Sequence, residues 1–205
     1  MNGVEAIDGR TARRNRNRDA VLDAMIALTR ESHEEPPVEL IAERAGVSYR
    51  SVYRYFEDRT ELMLAAIGRV MGEVWPIFDI EKLGEGELDE RINRFITSRL
   101  AAYGELAPLT RLAIRRSITE PAVMAEFDNV RAFLQGQLEA QFAEELDHLE
   151  AADRELVVAA LDVVFQFEAL EFLNRYEGMT DEGMADVLSR HVHVHLAAAA
   201  AESTN

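Results

Sequence analysis

Cysteine is absent from the 205 residues, which excludes disulfide scaffolds, thiolate metal centres and cysteine nucleophiles. Lysine is almost absent as well: Lys82 is the only one, so arginine carries the positive charge. Proline and glycine are scarce, with 5 and 11 copies, which favours helices over a turn-rich β protein. No apolar run approaches the roughly 20 residues that span a bilayer, so no membrane partner is expected. The opening residues lack the charged-then-apolar order of a secretion signal, and the expected location is the cytoplasm. A Gly-rich phosphate loop and a pair of Glu-x-x-His segments are missing too, so the chain is not expected to be an enzyme or to hold a cofactor.

What is present is apolar and acidic. The hydrophobic share is 48%, enough for a substantial core, and the net charge is −16. That charge is unevenly placed. Residues 1–60 are nearly balanced at −1, whereas the remainder stands at −15. Arg10, Arg13, Arg14, Arg16 and Arg18 form a run with no acid between them. The sign of a local patch governs attraction to phosphate, so a basic arm on an acidic body remains compatible with DNA.

Apolar spacing predicts a helix over Asp19–Ser32, which Glu34-Glu35-Pro36-Pro37 then breaks. A short helix follows over Val38–Ala45, with Leu40, Ile41 and Ala45 facing inward. Gly46 stops it, and Ser48 caps another short helix carrying Val52 and Phe56 on its inner side. Asp58-Arg59-Thr60-Glu61 has capping-box spacing for a longer helix to Trp75-Pro76. Further helices are expected over Leu88–Ala102, from Pro108, over Pro121–Leu146, over Asp153–Tyr176, and from Thr180 through the final histidines. The expectation is all-α, with about nine helices and no sheet.

Two short helices joined by a Gly-containing turn are the sequence form of a helix-turn-helix. Ala42 and Ala45 allow a close crossing, while Val47 and Val52 pin the second helix on the first. Tyr49, Arg50, Ser51, Tyr53, Arg54 and Tyr55 are left on or near the outward side. Tyr53 and Tyr55, two residues apart, cannot both face inward. The inventory suits a major groove, where arginine reads guanine and hydroxyls reach phosphate.

Ile41-Ala42-Glu43-Arg44-Ala45-Gly46-Val47-Ser48, Val52-Tyr53-Arg54-Tyr55-Phe56, Arg59 and Leu62 together resemble the DNA-binding domain of the TetR family of bacterial transcriptional regulators. The likeness runs over roughly Arg18–Val70. It implies a homodimer in which helices one to three bind double-stranded operator DNA, middle helices enclose a small-molecule effector, and the last two helices pair. Carried over by position, Tyr49, Arg50, Ser51 and Arg54 read bases, with Ser48 beside them, and Tyr53, Tyr55 and Arg59 hold phosphate. Tyr55 stands where the family more often has His, Arg59 where it has Lys, and His33 and Pro36-Pro37-Val38 where it has a Gly and a Thr. Arg14, Arg16 and Arg18 are expected to add contacts from the arm.

The domain boundary implied is 1–62 for the head and 63–205 for the ligand-binding and dimerisation part. Trp75, Phe78, Phe95, Tyr103, Phe127, Phe165 and Phe172, with Arg111, Arg115 and Glu168 as polar groups, are the candidate effector residues. The apolar stretch Val157–Leu173 requires cover from a second chain. Of His191, His193 and His195 only the first and last share a helical face, so no metal site is expected. The alternative is a helical ligand-binding protein or enzyme without DNA affinity.

Overall fold

The computed structural model describes the backbone of residues 3–32 and 34–202, and the side chains of residues 9, 11–32 and 34–201. The Arg10 side chain and His33 lie outside the described residues. Ten α-helices are present among them: α1 (Gly3–Ser32), α2 (Val38–Arg44), α3 (Tyr49–Tyr55), α4 (Arg59–Val74), α5 (Leu88–Ser117), α6 (Pro121–Gln141), α7 (Ala143–Leu146), α8 (Ala151–Phe165), α9 (Phe167–Glu171) and α10 (Asp181–Glu202). A 3-10 turn (Trp75–Phe78) follows α4 and a π turn (Phe172–Tyr176) follows α9. No described residue lies in a strand, so the fold is all-α. No described helix is long and apolar enough to cross a membrane.

The chain forms two compact units. The first takes the described residues up to Glu73 together with Pro108–Met124; the second takes Val74–Ala107 and the residues from Ala125 onward. In the first unit α1 packs on α2 and α3. Its core is built from Val21, Leu22 and Met25 of α1, Ile41 of α2, Val52 of α3 and Phe56, all at most 2% exposed. Ion pairs tie the elements at the rim: Arg69 of α4 meets Asp19 and Asp23 at 2.6 and 3.1 Å, and Arg44 meets Glu31 at 2.6 Å. The second unit has its own core, in which Phe95 of α5 meets the rings of Phe142 and Phe165 edge-on at 5.7 and 4.9 Å. Leu161 of α8 and Met184, Leu188 and Val192 of α10 fill the same core.

Several boundaries depart from the sequence reading. Helix α1 begins at Gly3 and includes the arginine run. Pro108 lies inside α5 instead of opening a helix. Its missing amide hydrogen costs one bond, to the Gly104 carbonyl, and buried residues on both sides (Tyr103, Ala107, Leu109, Leu112) keep the helix going. The expected Asp153–Tyr176 helix is broken at Gln166, whose backbone is extended (φ −67°, ψ 149°). Leu40 is 43% exposed, because Val38 and Ile41 take the inner face of a helix only seven residues long.

Candidate nucleic-acid interface

The turn before α3 needs a left-handed residue, and Gly46 supplies it at φ 66°. Ser48 then caps α3: its Oγ accepts from the Ser51 amide at 3.2 Å and lies 2.9 Å from the Ser51 hydroxyl. Val52 and Phe56, each 1% exposed, anchor the helix from below. The other face is turned outward. Arg50 and Arg54 are exposed, as are Tyr49 (48%) and Tyr53 (39%). Tyr49 and Tyr53 stack edge-on at 5.2 Å, one turn apart, which orients two phenols side by side. Arg54 donates to the Ser51 Oγ at 3.4 Å and the Tyr55 hydroxyl at 3.0 Å, so its guanidinium is aimed along the helix surface.

Tyr55 is buried, at 7% exposure, instead of standing on the outward side, and its hydroxyl oxygen is engaged by two neighbours. That oxygen accepts from the Asn17 side-chain amide at 3.2 Å as well as from Arg54. Two donors fill both lone pairs, which leaves the O–H free to donate. The Asn17 amide first, and then the Arg54 guanidinium, hold the phenol below its ordinary pKa. Asn17 is a residue that sequence reasoning missed. The signal was its place on the same stripe of α1 as Val21 and Leu28, at helical spacing.

Arg14 and Arg16 are exposed on α1, whereas Arg18 lies over the Phe56 ring at 4.7 Å. Arg59 is held by Glu35, with 2.8 and 2.5 Å to the same carboxylate oxygen. Arg14, Arg16, Arg18, Ser48, Tyr49, Arg50, Ser51, Tyr53, Arg54, Tyr55 and Arg59 thus all lie in the first unit.

The candidate effector residues are dispersed. Arg111 and Arg115 belong to the first unit, and the remaining eight to the second. There Trp75, half exposed, meets Phe133 at 4.6 Å and Phe78 at 6.3 Å. Phe95 and Phe165 are core, and Phe127 is half-buried. The Tyr103 hydroxyl donates to Glu171 at 2.8 Å. Glu168 is exposed and pairs with Arg131 at 3.3 Å, while Phe172 stacks on Tyr176 at 5.9 Å, outside the core. A cleft of about 440 Å³ in this unit is lined by Ile77, Asp79, Asn93, Arg94, Thr97 and Ser98 among others, and by none of the expected residues. Sequence reasoning also passed over Arg99. It is 3% exposed, donates to the Gln137 side chain at 3.0 Å and the Leu134 carbonyl at 3.3 Å, and lies 4.2 Å above the Phe95 ring. Burial pushes its pKa down to about 10. Its spacing from Ile92, Ile96 and Tyr103 on one helical stripe was the available signal.

Known proteins resemble this chain in sequence and in fold. Residues 35–66 match the model for bacterial regulatory proteins of the tetR family. The HTH-type transcriptional repressor KstR of Mycolicibacterium smegmatis is 27% identical over 177 residues, covering 84% of each chain. Among solved structures, a tetR-family transcriptional regulator from Streptomyces coelicolor superposes with TM-score 0.65 at 24% identity, over 91% of this chain and 81% of that one. A transcriptional regulator from Rhodococcus sp. Rha1 gives TM-score 0.64 at 17% identity, over 91% and 97%. At those identities the two structures speak for the fold alone. With a matching helix-turn-helix head and a repressor alike along most of its length, the chain is similar to the tetR family of bacterial regulatory proteins.

Proposed function

We propose that the chain is a transcriptional repressor that binds a palindromic operator as a homodimer and is released by a small-molecule effector. The exposed row Tyr49, Arg50, Tyr53 and Arg54, pinned from below by Val52 and Phe56, is the observation that carries this reading. Arg50 and Arg54 supply base-reading donors, and the tyrosine hydroxyls supply phosphate contacts. Relatives named as repressors support the direction of control.

Dimerisation is supported by α8 and α10, which pack on one another. Each buries one face and turns an apolar stripe the other way: Leu156 and Val163 on α8 (70% and 58% exposed), Val187 and Val194 on α10 (38% and 59%). A second copy gives these stripes cover by a twofold contact, and a twofold protein matches a palindromic site. The effector is taken up in the second unit. Arg99, buried among rings and neutral acceptors, and the Trp75–Phe133 pair beside the end of α4 favour that unit. A ligand that prefers the non-binding form lowers operator affinity, and operator lowers ligand affinity by the same factor.

Selection of duplexes from a random library by the purified chain tests the reading. The expected outcome is a symmetric consensus with salt-dependent affinity; absence of enrichment overturns it. Val163→Glu should convert dimer to monomer in sedimentation, since a charge in the centre of an apolar contact is left unpaired. A wild-type monomer at micromolar concentration removes the dimer from the proposal. Leu188 is not a site for such a test, because it fills the protomer's own core.

A further inference from the structure

Glu35 was not among the expected DNA-contacting residues, yet it organises one of them. It lies just ahead of Pro36-Pro37, at the entry to α2, with its side chain 24% exposed. Its Oε1 accepts from Arg59 Nε at 2.8 Å, Arg59 Nη2 at 2.5 Å and Arg116 Nη2 at 2.6 Å; its Oε2 accepts from Arg116 Nε at 3.0 Å. Arg59 opens α4, and Arg116 belongs to the last turn of α5. All three residues lie in the first unit. Burial works against the Glu35 charge, but hydrogen bonds from Arg116 and Arg59 outweigh it and hold the carboxyl below its ordinary range.

We propose that Glu35 is a positioning residue for DNA binding: it fixes Arg59 as a phosphate contact and, by sharing its carboxylate with Arg116, makes the last turn of α5 part of the same assembly. The proposal rests on the reading of Arg59 as a phosphate contact. The donor arithmetic supports it. Arg59 turns Nε and Nη2 toward Glu35, which leaves Nη1 for an outside oxygen, and its side chain is 38% exposed. Glu120 adds a second carboxylate 3.9 Å from Arg116, so the cluster is balanced in charge and attraction to phosphate rests on how Arg59 is aimed. Long arginine side chains lose rotamer freedom on contact, and a partner that fixes one beforehand lowers that cost.

Charge alone and positioning predict opposite results for Glu35→Gln. Deleting the negative charge makes the cluster more cationic, which by itself tightens DNA binding. Loss of positioning weakens it. The probe is duplex DNA of random sequence, since phosphate contacts are independent of sequence, read by fluorescence anisotropy over a salt series. Arg59→Ala should weaken binding about tenfold and flatten the log–log salt slope by about 0.9. Glu35→Gln should weaken binding severalfold despite its added positive charge, and should add nothing in the Arg59→Ala background. Arg116→Gln should act in the same direction, because it both frees Glu35 Oε2 and removes a cation. Circular-dichroism melts of each variant separate unfolding from lost contact; if Glu35→Gln unfolds, Arg116→Gln is read in the Arg59→Ala background, where charge alone leaves its effect intact and positioning removes most of it. Tighter or unchanged binding by folded Glu35→Gln, or effects that multiply in the double variant, overturns the proposal alone. If wild type fails to bind, or Arg59→Ala binds as wild type does, the reading of Arg59 falls and the proposal with it.

Discussion

Arginine is used in two contrasting ways, and each compact unit holds the clearest case of one of them. In the first, Arg14, Arg16, Arg50 and Arg54 stand in water along α1 and α3. In the second, Arg91 and Arg99 are 2% and 3% exposed. Arg91 gives its guanidinium to both Glu145 oxygens, to Glu144 and to the carbonyls of Gly86 and Gln141. Arg99 donates to an amide oxygen and a carbonyl and lies against two aromatic faces, with the Asp162 carboxylate acting on it only through space. One residue type thus does two jobs. An exposed arginine keeps its donors available for phosphate or guanine, while a buried one is a cross-tie whose removal strands what it held.

Removing cross-ties should produce the largest effects. Arg91→Ala leaves Glu145 and two carbonyls without their donor, and should cost about 3–5 kcal/mol of stability by denaturant unfolding. Arg99→Met should cost clearly less, since it breaks no direct hydrogen bond to a carboxylate and keeps apolar bulk between the rings. Equal losses for the two would erase the distinction between a charged and a neutral tie. Displayed residues should behave the other way round. Arg50→Ala should leave the melting temperature unchanged while costing about 1–3 kcal/mol of discrimination at one base pair, read as a relaxed position in the selected consensus.

The smallest effect concerns an exposed pair in the second unit. His193 donates to the Ser189 carbonyl at 2.8 Å and meets Asp89 at 2.7 Å, and these two partners, in that order, raise its pKa above 6.5. A raised pKa stabilises the protonated fold. The contribution is complete below the unfolded value and disappears as pH rises through the folded one. The melting-temperature advantage of wild type over His193→Gln should therefore shrink as the pH climbs from acid through neutrality. An advantage that grows with pH would reverse the assignment.

What the sequence made legible was local. The α2–α3 hairpin announces itself through Gly46, the Ser48 cap and the Val52/Phe56 spacing, each within a few residues of the others. The all-helical class followed from scarce proline and glycine in the same way. Long-range partnership was not legible. Pro108 reads equally as the first turn of a helix or as its interior, and only burial of α5 on both sides of it decides. The break at Gln166 carries no Pro or Gly; the residue instead donates from its side chain to Asp162 at 2.8 Å. Asn17 with Tyr55, and Glu35 with Arg59 and Arg116, are pairings across 38, 24 and 81 positions, beyond the reach of any local pattern.

The first unit is not one stretch of gene. It is completed by Pro108–Met124, which contributes the buried side chains Leu109, Leu112, Ala113 and Val123 and the Arg116 grip on Glu35. A fragment ending at Glu73 would encode α1–α4 with part of their unit missing. A single crossover after α4 would likewise join one lineage's reading head to another lineage's α5–α6 hairpin. Such a fold resists the shuffling of heads between bodies. Under the proposed function, its route to a new operator runs through point substitutions on the exposed face of α3, where Arg50 can change without disturbing a buried neighbour, whereas Arg54 is tied to the Tyr55 hydroxyl.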